Sequence, residues 1–97
     1  MKVFSWSNEK NKKLFTERNI TFEEIVFCIE KGHLLDTIEN PRRDKYKGQK
    51  IFVVEVDNYV YLVPFIETEK EIFLKTVIPN RKATKKYLKG GIENGQK

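Results

Sequence analysis

The last third of the chain concentrates side chains that could act on a phosphate group. An apolar, β-branched run from Ile72 to Ile78 stops at Pro79, and cations dominate the residues that follow. The cations are Arg81, Lys82, Lys85, Lys86 and Lys89, with Lys75 inside the apolar run and Tyr87 among the later lysines. Guanidinium and ammonium groups bind phosphate oxygens, and a tyrosine ring can stack on a base. The pattern predicts a nucleic-acid-binding surface. The alternative is an amphipathic basic helix that buries Tyr87 and Leu88.

A second basic stretch lies between residues 40 and 49. Its candidate RNA-binding side chains are Arg42, Arg43, Lys45, Tyr46 and Lys47. A proline and a glycine accompany them, which predicts a loop. The cations could hold phosphates while Tyr46 stacks on a base. A solvated basic loop can equally protect a sheet edge from aggregation, and composition leaves both interpretations open.

Side chains for metal or nucleophile chemistry are scarce. His33 and Cys28 each occur once, so no intramolecular disulfide can form. The sequence contains no CxxC, HExxH or glycine-rich phosphate loop. We expect His33 to follow a helix end, where a cation is favoured, and Cys28 to be a small buried apolar residue. The sequence therefore predicts neither a metal nor a cofactor.

Length and charge define the class of protein. The chain has 97 residues and a net charge of +5, which suits one domain. We expect residues 1–89 to form this domain and residues 90–97 to be a flexible tail. The start of the chain lacks the apolar segment of a signal peptide, and no run approaches the roughly 18 apolar residues of a membrane span. These features predict a soluble, cytoplasmic protein without a membrane partner.

Two amphipathic helices precede the strands. Ser7 is a good N-cap for a helix from Asn8 to Arg18. Thr21 and Glu24 form a capping box for a second helix from Phe22 to about Lys31. The apolar residues of this second helix recur at helical spacing, which predicts one buried face.

Alternating apolar residues then predict four strands. These are residues 34–39, 50–56, 59–66 and 71–78. Pro64 lacks an N–H, so we expect it at an edge or a bulge. If Leu74 faces the first two helices, Lys75 lies on the opposite face. Asn80 is expected to cap a last helix that ends at Gly90-Gly91. The predicted fold class is α+β: two N-terminal helices pack on one face of a four-stranded, mainly antiparallel sheet, and a C-terminal helix follows.

Two stretches resemble BrnT-type toxins. Near the start, an aromatic-x-Trp at residues 4–6 precedes a Lys- and Asn-rich helix and a Thr-Phe-Glu-Glu entry at residues 21–24. Near the end, an Arg-Lys-Ala-Thr helix at residues 81–84 follows a closing strand. The similarity covers approximately Phe4 to Leu88. It implies the fold of the RelE-like ribonuclease toxins, and the predicted order of elements agrees with that fold.

The resemblance implies a metal-independent endoribonuclease that stops translation. Such enzymes drive the RNA 2′-hydroxyl onto the adjacent phosphate and leave a 2′,3′-cyclic phosphate. By motif position, Arg81 would stabilise the phosphate charge, assisted by Lys82 and Lys75, and Tyr87 would position or stack on a base. Lys85 and the loop residues would bind RNA. Histidine is the usual general base near neutral pH, but the single histidine, His33, lies outside the motifs, so a Lys or Tyr would have to act as the base.

The resemblance also implies partners. A cognate antitoxin would neutralise the toxin and bring it to operator DNA, and a homodimer within that complex is an open alternative. Two further hypotheses use the same basic surface without catalysis. One is a nucleic-acid-binding module, and the other is a protein whose basic face docks an acidic partner such as the antitoxin.

Overall fold

A computed structural model describes residues 2–40 and 49–89. The elements follow in the order β1 (Val3–Ser5), α1 (Asn8–Arg18), α2 (Phe22–Glu30), β2 (Leu34–Glu39), β3 (Gln49–Val56), β4 (Tyr59–Glu67), β5 (Glu71–Leu74), β6 (Ile78–Pro79) and α3 (Arg81–Thr84). A π-helical turn over Lys85–Lys89 continues α3. We call residues 81–89 the C-terminal helical segment. The expected flexible tail at residues 90–97 lies outside the described residues.

Side-chain caps define the two N-terminal helices as predicted. Ser7 Oγ accepts a hydrogen bond from the Lys10 backbone N–H at 3.3 Å. Thr21 Oγ1 accepts one from the Glu24 N–H at 3.1 Å. These bonds satisfy N–H groups that have no partner within their own helix. The prediction of both helix starts is confirmed.

The sheet has six strands within residues 2–40 and 49–89, so the prediction of four was wrong. The strand order is β1-β5-β4-β3-β2, and β6 also pairs with β4. Every pair is antiparallel except β1 with β5, which is parallel. β1 has only three residues, and its partner begins at Glu71. Three residues are too few to show the alternation of side chains that predicts a strand. The pairing of β1 therefore depends on the tertiary fold rather than on the local sequence. The α+β class itself is confirmed.

The predicted single strand over residues 71–78 is in fact two strands separated by a bulge. Phe65 faces Leu74, but Leu62 faces Ile78, so two residues of β4 lie opposite three of its partner. Pro64 lies at this slip, where its carbonyl accepts from the Lys75 N–H at 2.8 Å. A residue without an N–H is tolerated where the ladder is interrupted. The bulge expected at Pro64 is confirmed.

The bulge also reverses the side-chain alternation after Leu74. Ile78 was predicted to share a face with Leu74, and Val77 to lie opposite. In the structure Leu74 and Val77 are both fully buried in the core, whereas Ile78 is exposed. An extra residue shifts the period-two pattern by one position. That shift explains why strict alternation gave the wrong faces beyond residue 75.

Both faces of the sheet are covered. On the face that we call the helix face, Phe22 and Ile25 of α2 pack with Val54, Val63 and other strand residues. The opposite face, which we call the second face, carries Val53 and Val60, and both are fully buried. Hydrogen bonds from the C-terminal helical segment reach β4 beside Val60 and β2 across from Val53. The segment therefore lies over the second face, and the expected two layers are three.

Candidate nucleic-acid interface

Asn80 starts the C-terminal helical segment at a fixed point of the sheet. Its Oδ1 accepts from the Ala83 N–H at 2.7 Å, the capping bond that the sequence predicted. Its own backbone N–H donates to the Val60 carbonyl oxygen at 3.0 Å. Asn80 therefore continues the pairing of β6 with β4 by one residue while it opens the helix. This double role ties the direction of the helix to the sheet.

Thr84 is the second anchor, and it is almost fully buried, with 4% of its surface exposed. Its Oγ1 accepts from the Val60 N–H at 2.9 Å and donates to the Asn80 carbonyl at 2.8 Å. The Thr84 hydroxyl thus makes the hydrogen bond to Val60 that a neighbouring strand would otherwise make. From the sequence alone, Thr84 is simply the last residue of the Arg-Lys-Ala-Thr motif. Its partner, Val60, is 24 residues away in the sequence, and no local pattern predicts a contact between residues so far apart.

The cations of the segment point away from this anchor. Arg81, Lys82, Lys85 and Lys86 are all exposed, whereas Thr84 is buried. Within residues 2–40 and 49–89, ion pairs within 4 Å join only Lys2 to Glu67 and His33 to Glu55. None of the four cations is therefore within 4 Å of a carboxylate there, although Lys86 is close enough to Asp36 to lower the pKa of its carboxyl. Arg81 and Lys85, like Lys82 and Lys86, are four residues apart, a like-charge spacing that destabilises a helix by about 0.2–0.5 kcal/mol per pair.

Lys75 lies on the same side of the sheet, at some distance from the helix. It is exposed, and its partner in the ladder is Pro64. Pro64 and Val60 are four residues apart on β4, which corresponds to about 13 Å along the strand. The structure thus places Lys75 on the second face opposite Leu74, as expected, but not in direct contact with the start of the helix.

Tyr87 joins the segment to the opposite edge of the sheet. Its hydroxyl donates to Asp36 Oδ2 at 2.8 Å, and Asp36 shares the second face because it pairs with Val53. This bond raises the pKa of Tyr87 above its usual value and lowers the pKa of Asp36. A tyrosine that donates to a carboxylate is a poor base. Lys86 Nζ lies 5.3 Å from the centre of the Tyr87 ring, so the ring face is close to a cation.

The alternative in which Tyr87 and Leu88 enter the core is not what the structure shows. Both side chains are half-buried, neither belongs to the hydrophobic core, and Thr84 is the residue of the segment that is almost fully buried. Asp36 was not singled out from the sequence, because 51 residues separate it from Tyr87. The predicted loop residues Arg42, Arg43, Lys45, Tyr46 and Lys47 lie outside the described residues.

His33 and Glu55 form a second titratable pair near this surface. His33 Nδ1 is 3.7 Å from Glu55 Oε1, and the Glu55 N–H donates to the His33 carbonyl at 3.0 Å. His33 also closes α2, since its backbone N–H donates to the Cys28 carbonyl at 2.9 Å. Gly32, just before it, has a φ of +94°, the left-handed conformation that such a cap requires. The prediction that His33 follows a helix end is confirmed.

The remaining polar features of the described part of the chain are separate from the basic segment. A shallow depression on the helix face is lined by Lys2, Lys50, Phe65, Glu67, Thr68 and Glu69. Its charges are mixed, and it contains none of the predicted site residues. Within the same described ranges, no three His, Cys, Asp or Glu side chains cluster as metal ligands would. No helix there is long and apolar enough to cross a membrane.

Comparisons of the chain with protein-family models, with curated proteins and with solved structures returned no match.

Proposed function

We propose that this chain is a metal-independent endoribonuclease of the type that the BrnT resemblance implies, the toxin of a type II toxin–antitoxin pair. The observation that supports the proposal is a set of exposed cations that form no ion pair within 4 Å in the described chain, on a helical segment anchored to the sheet through Asn80 and Thr84. Cations carried on a backbone that is fixed in advance are suited to stabilise an anionic transition state, because that backbone need not reorganise when charge develops.

Arg81 is assigned the main role in stabilising the phosphate. It is the one guanidinium group of the segment, and a guanidinium can donate two parallel hydrogen bonds to a phosphate. Lys82 and Lys85 add charge to the same segment, and Lys75 extends the basic surface along β4. Tyr87 is assigned base stacking or substrate positioning rather than proton transfer, since its hydroxyl is held by Asp36.

The proposed reaction is an internal transesterification of RNA. A base removes the proton of a 2′-hydroxyl, and the 2′-oxygen attacks the adjacent phosphorus. The bond to the 5′-oxygen breaks, and that oxygen takes up a proton. The products are a 2′,3′-cyclic phosphate and a 5′-hydroxyl end. Because the nucleophile belongs to the RNA, the protein needs only charge stabilisation, positioning and proton transfer.

The wider setting is part of the same proposal. The protein would act in the cytoplasm, where its RNA substrates are. A cognate antitoxin would cover the basic surface and carry the complex to operator DNA. Whether the toxin forms a homodimer in that complex is tested by the mass of the purified pair.

Induced expression in a bacterium, with mapping of RNA ends, tests the proposal. The wild-type chain should arrest growth and produce new RNA ends, and co-expression of the antitoxin should prevent both. Cells that express the double variant Arg81→Ala, Lys75→Ala should grow normally. The variant should remain folded, because both side chains are exposed. Arrest that persists in this variant would place the activity elsewhere.

One observation favours a second candidate, a nucleic-acid-binding module without catalysis. The tyrosine assigned to the site donates its proton to Asp36 and has a raised pKa, so it does not supply a base. A binding module predicts RNA binding that weakens steeply with salt and leaves the RNA intact. Intact RNA after prolonged incubation, together with such binding, would favour this candidate over the nuclease.

A further inference from the structure

His33 lies on the same face of the sheet as the C-terminal helical segment, although no sequence motif connects them. The structure links them through one row of the sheet. His33 pairs with Glu55, Glu55 lies opposite Val60, and the Val60 N–H and carbonyl bond Thr84 and Asn80. The row therefore runs from His33 to the first turn of the segment. Three strand spacings correspond to about 15 Å between the backbones at its two ends.

The far end of the segment returns toward His33. Tyr87 bonds Asp36, which lies on β2 three residues after His33. That separation corresponds to about 10 Å along an extended chain. Lys86 is close enough to Asp36 to lower the pKa of its carboxyl. The imidazole is therefore flanked by the two ends of a basic segment that crosses the same side of the sheet.

The imidazole is both oriented and accessible. The distance of 3.7 Å between Nδ1 and Glu55 Oε1 is longer than a hydrogen bond, and the two groups form a charge pair only once the imidazole has taken up a proton. The His33 side chain is 48% exposed and that of Glu55 is 24% exposed. In residues 2–40 and 49–89 no hydrogen bond engages Nε2. A carboxylate beside one ring nitrogen leaves the other available for proton transfer, the arrangement in which histidine serves as an acid or base.

We infer that His33 is the general base of the proposed ribonuclease and that Glu55 is the positioning residue that orients it. The inference rests on the proposed function, to which it adds the missing proton acceptor. Nε2 removes the proton of the 2′-hydroxyl, and the electron pair of that O–H bond forms the new bond to phosphorus. The bond from phosphorus to the 5′-oxygen breaks, and the leaving oxygen takes a proton from water. Arg81 and its neighbouring lysines stabilise the charge of the phosphorane.

Cleavage of a short RNA by the purified full chain, with its products separated on a gel, tests this assignment. His33→Ala should lower kcat by roughly 10²- to 10⁴-fold, the usual contribution of a general base. Its affinity for the same RNA carrying a 2′-deoxy residue at the cleavage site should not change. Free imidazole should restore part of the activity of His33→Ala. The same imidazole should not restore Arg81→Ala, which retains the base.

Glu55→Gln distinguishes positioning from a structural role. Its kcat should fall less than that of His33→Ala while KM stays constant, and imidazole should give no rescue because His33 is still present. Thermal unfolding checks that each variant folds. The backbone N–H of residue 33, which caps α2, is retained in every substitution. His33→Gln supplies a second variant, whose polar side chain is longer than that of alanine.

The outcomes separate the two claims. A wild-type chain that cleaves RNA while His33→Ala and His33→Gln cleave equally well would overturn the role of His33 and leave the nuclease proposal intact. A fall in activity without imidazole rescue, accompanied by weaker RNA binding, would also overturn it, since His33 would then be a binding residue. A wild-type chain that binds RNA but leaves it intact would overturn both claims.

Discussion

The two sides of the sheet are covered in different ways. On the helix face, α2 contributes Phe22 and Ile25, and both side chains are fully buried among apolar residues of the strands. On the second face, the C-terminal helical segment contributes the polar Thr84 to the interior and is held at its ends by hydrogen bonds to Val60 and Asp36. Apolar packing thus dominates one layer, whereas in the other layer hydrogen bonds from the segment are added to the buried side chains of Val53 and Val60.

This difference separates stability from function. A layer held by apolar area contributes to the global free energy of unfolding. A short layer held by polar bonds can carry charges that would destabilise a larger helix. The cations at four-residue spacing in the segment form no ion pair within 4 Å in the described chain, which leaves them available to an anionic partner. The following variants test the comparison, beginning with the largest expected effect.

The largest effect is expected in the apolar layer. Phe22→Ala should lower the free energy of unfolding by about 3–5 kcal/mol, since it removes a fully buried aromatic side chain. Urea unfolding followed by circular dichroism measures the change. The exposed Phe27 of the same helix is the matched control, and Phe27→Ala should change stability far less. Equal losses at the two positions would contradict the assignment of this face as the core.

The polar layer should respond in a local way. Thr84→Val keeps the shape of the side chain but leaves the Val60 N–H without its acceptor, at a cost of about 1–3 kcal/mol. Hydrogen exchange at the Val60 amide should become faster, whereas amides of α2 should keep their protection. Thr84→Ser retains the hydroxyl and serves as the control. If α2 and Val60 lose protection equally in Thr84→Val, the segment is not a separate layer.

The charges should affect binding more than stability. Lys82→Gln removes one like-charge pair, so the protein should be unchanged in stability or more stable by about 0.2–0.5 kcal/mol. Its affinity for single-stranded RNA should fall, and the slope of the logarithm of affinity against the logarithm of salt concentration should decrease by about 0.7. Lys70→Gln, in the turn before β5, is the control for a cation away from the segment. An identical salt slope in wild type and Lys82→Gln would exclude Lys82 from the interface.

The smallest effect is expected at the edge of the segment, and it depends on pH. Because the folded state lowers the pKa of Asp36 below its ordinary value of 3.8, the bond to Tyr87 stabilises the fold above that value. This stabilisation is lost as the pH falls through the lowered pKa. Tyr87→Phe should therefore be slightly less stable than wild type near pH 6, and the difference should disappear in strong acid. Thermal unfolding at both pH values measures it, and a difference that grows in acid would contradict the assigned bond.

Local patterns were enough to predict much of the fold. Caps at Ser7, Thr21 and Asn80 marked the helix starts, because capping involves residues three positions apart. β2 was predicted with its observed bounds, and β3 and β4 to within a residue. The two residues between the predicted strands 50–56 and 59–66, Asp57 and Asn58, both have positive φ, which Asp and Asn tolerate in a two-residue turn. Features that depend on distant parts of the chain were not predicted, such as the parallel pairing of β1.

The candidate site shows the same limit. Residue type and charge singled out Arg81, Lys82, Lys75 and Tyr87, and the structure places their side chains outside the core. The anchors Thr84 and Asp36 acquire their roles from partners 24 and 51 residues away. His33 and the basic segment are also far apart in the sequence, and only the register of β2, β3 and β4 brings them to the same face of the sheet. Residue type and spacing along the chain therefore predicted the charged candidate residues, but not the contacts between residues that are distant in the sequence.

The central claim is that the exposed cations of the C-terminal helical segment act on RNA. The most direct measurement is incubation of the purified chain with a defined RNA in the presence of a metal chelator, followed by chemical mapping of the new ends. We predict 2′,3′-cyclic phosphate and 5′-hydroxyl ends with wild type, and none with Arg81→Ala of equal thermal stability. RNA that stays intact with the folded wild-type chain, or cleavage of equal rate by Arg81→Ala, would contradict the claim.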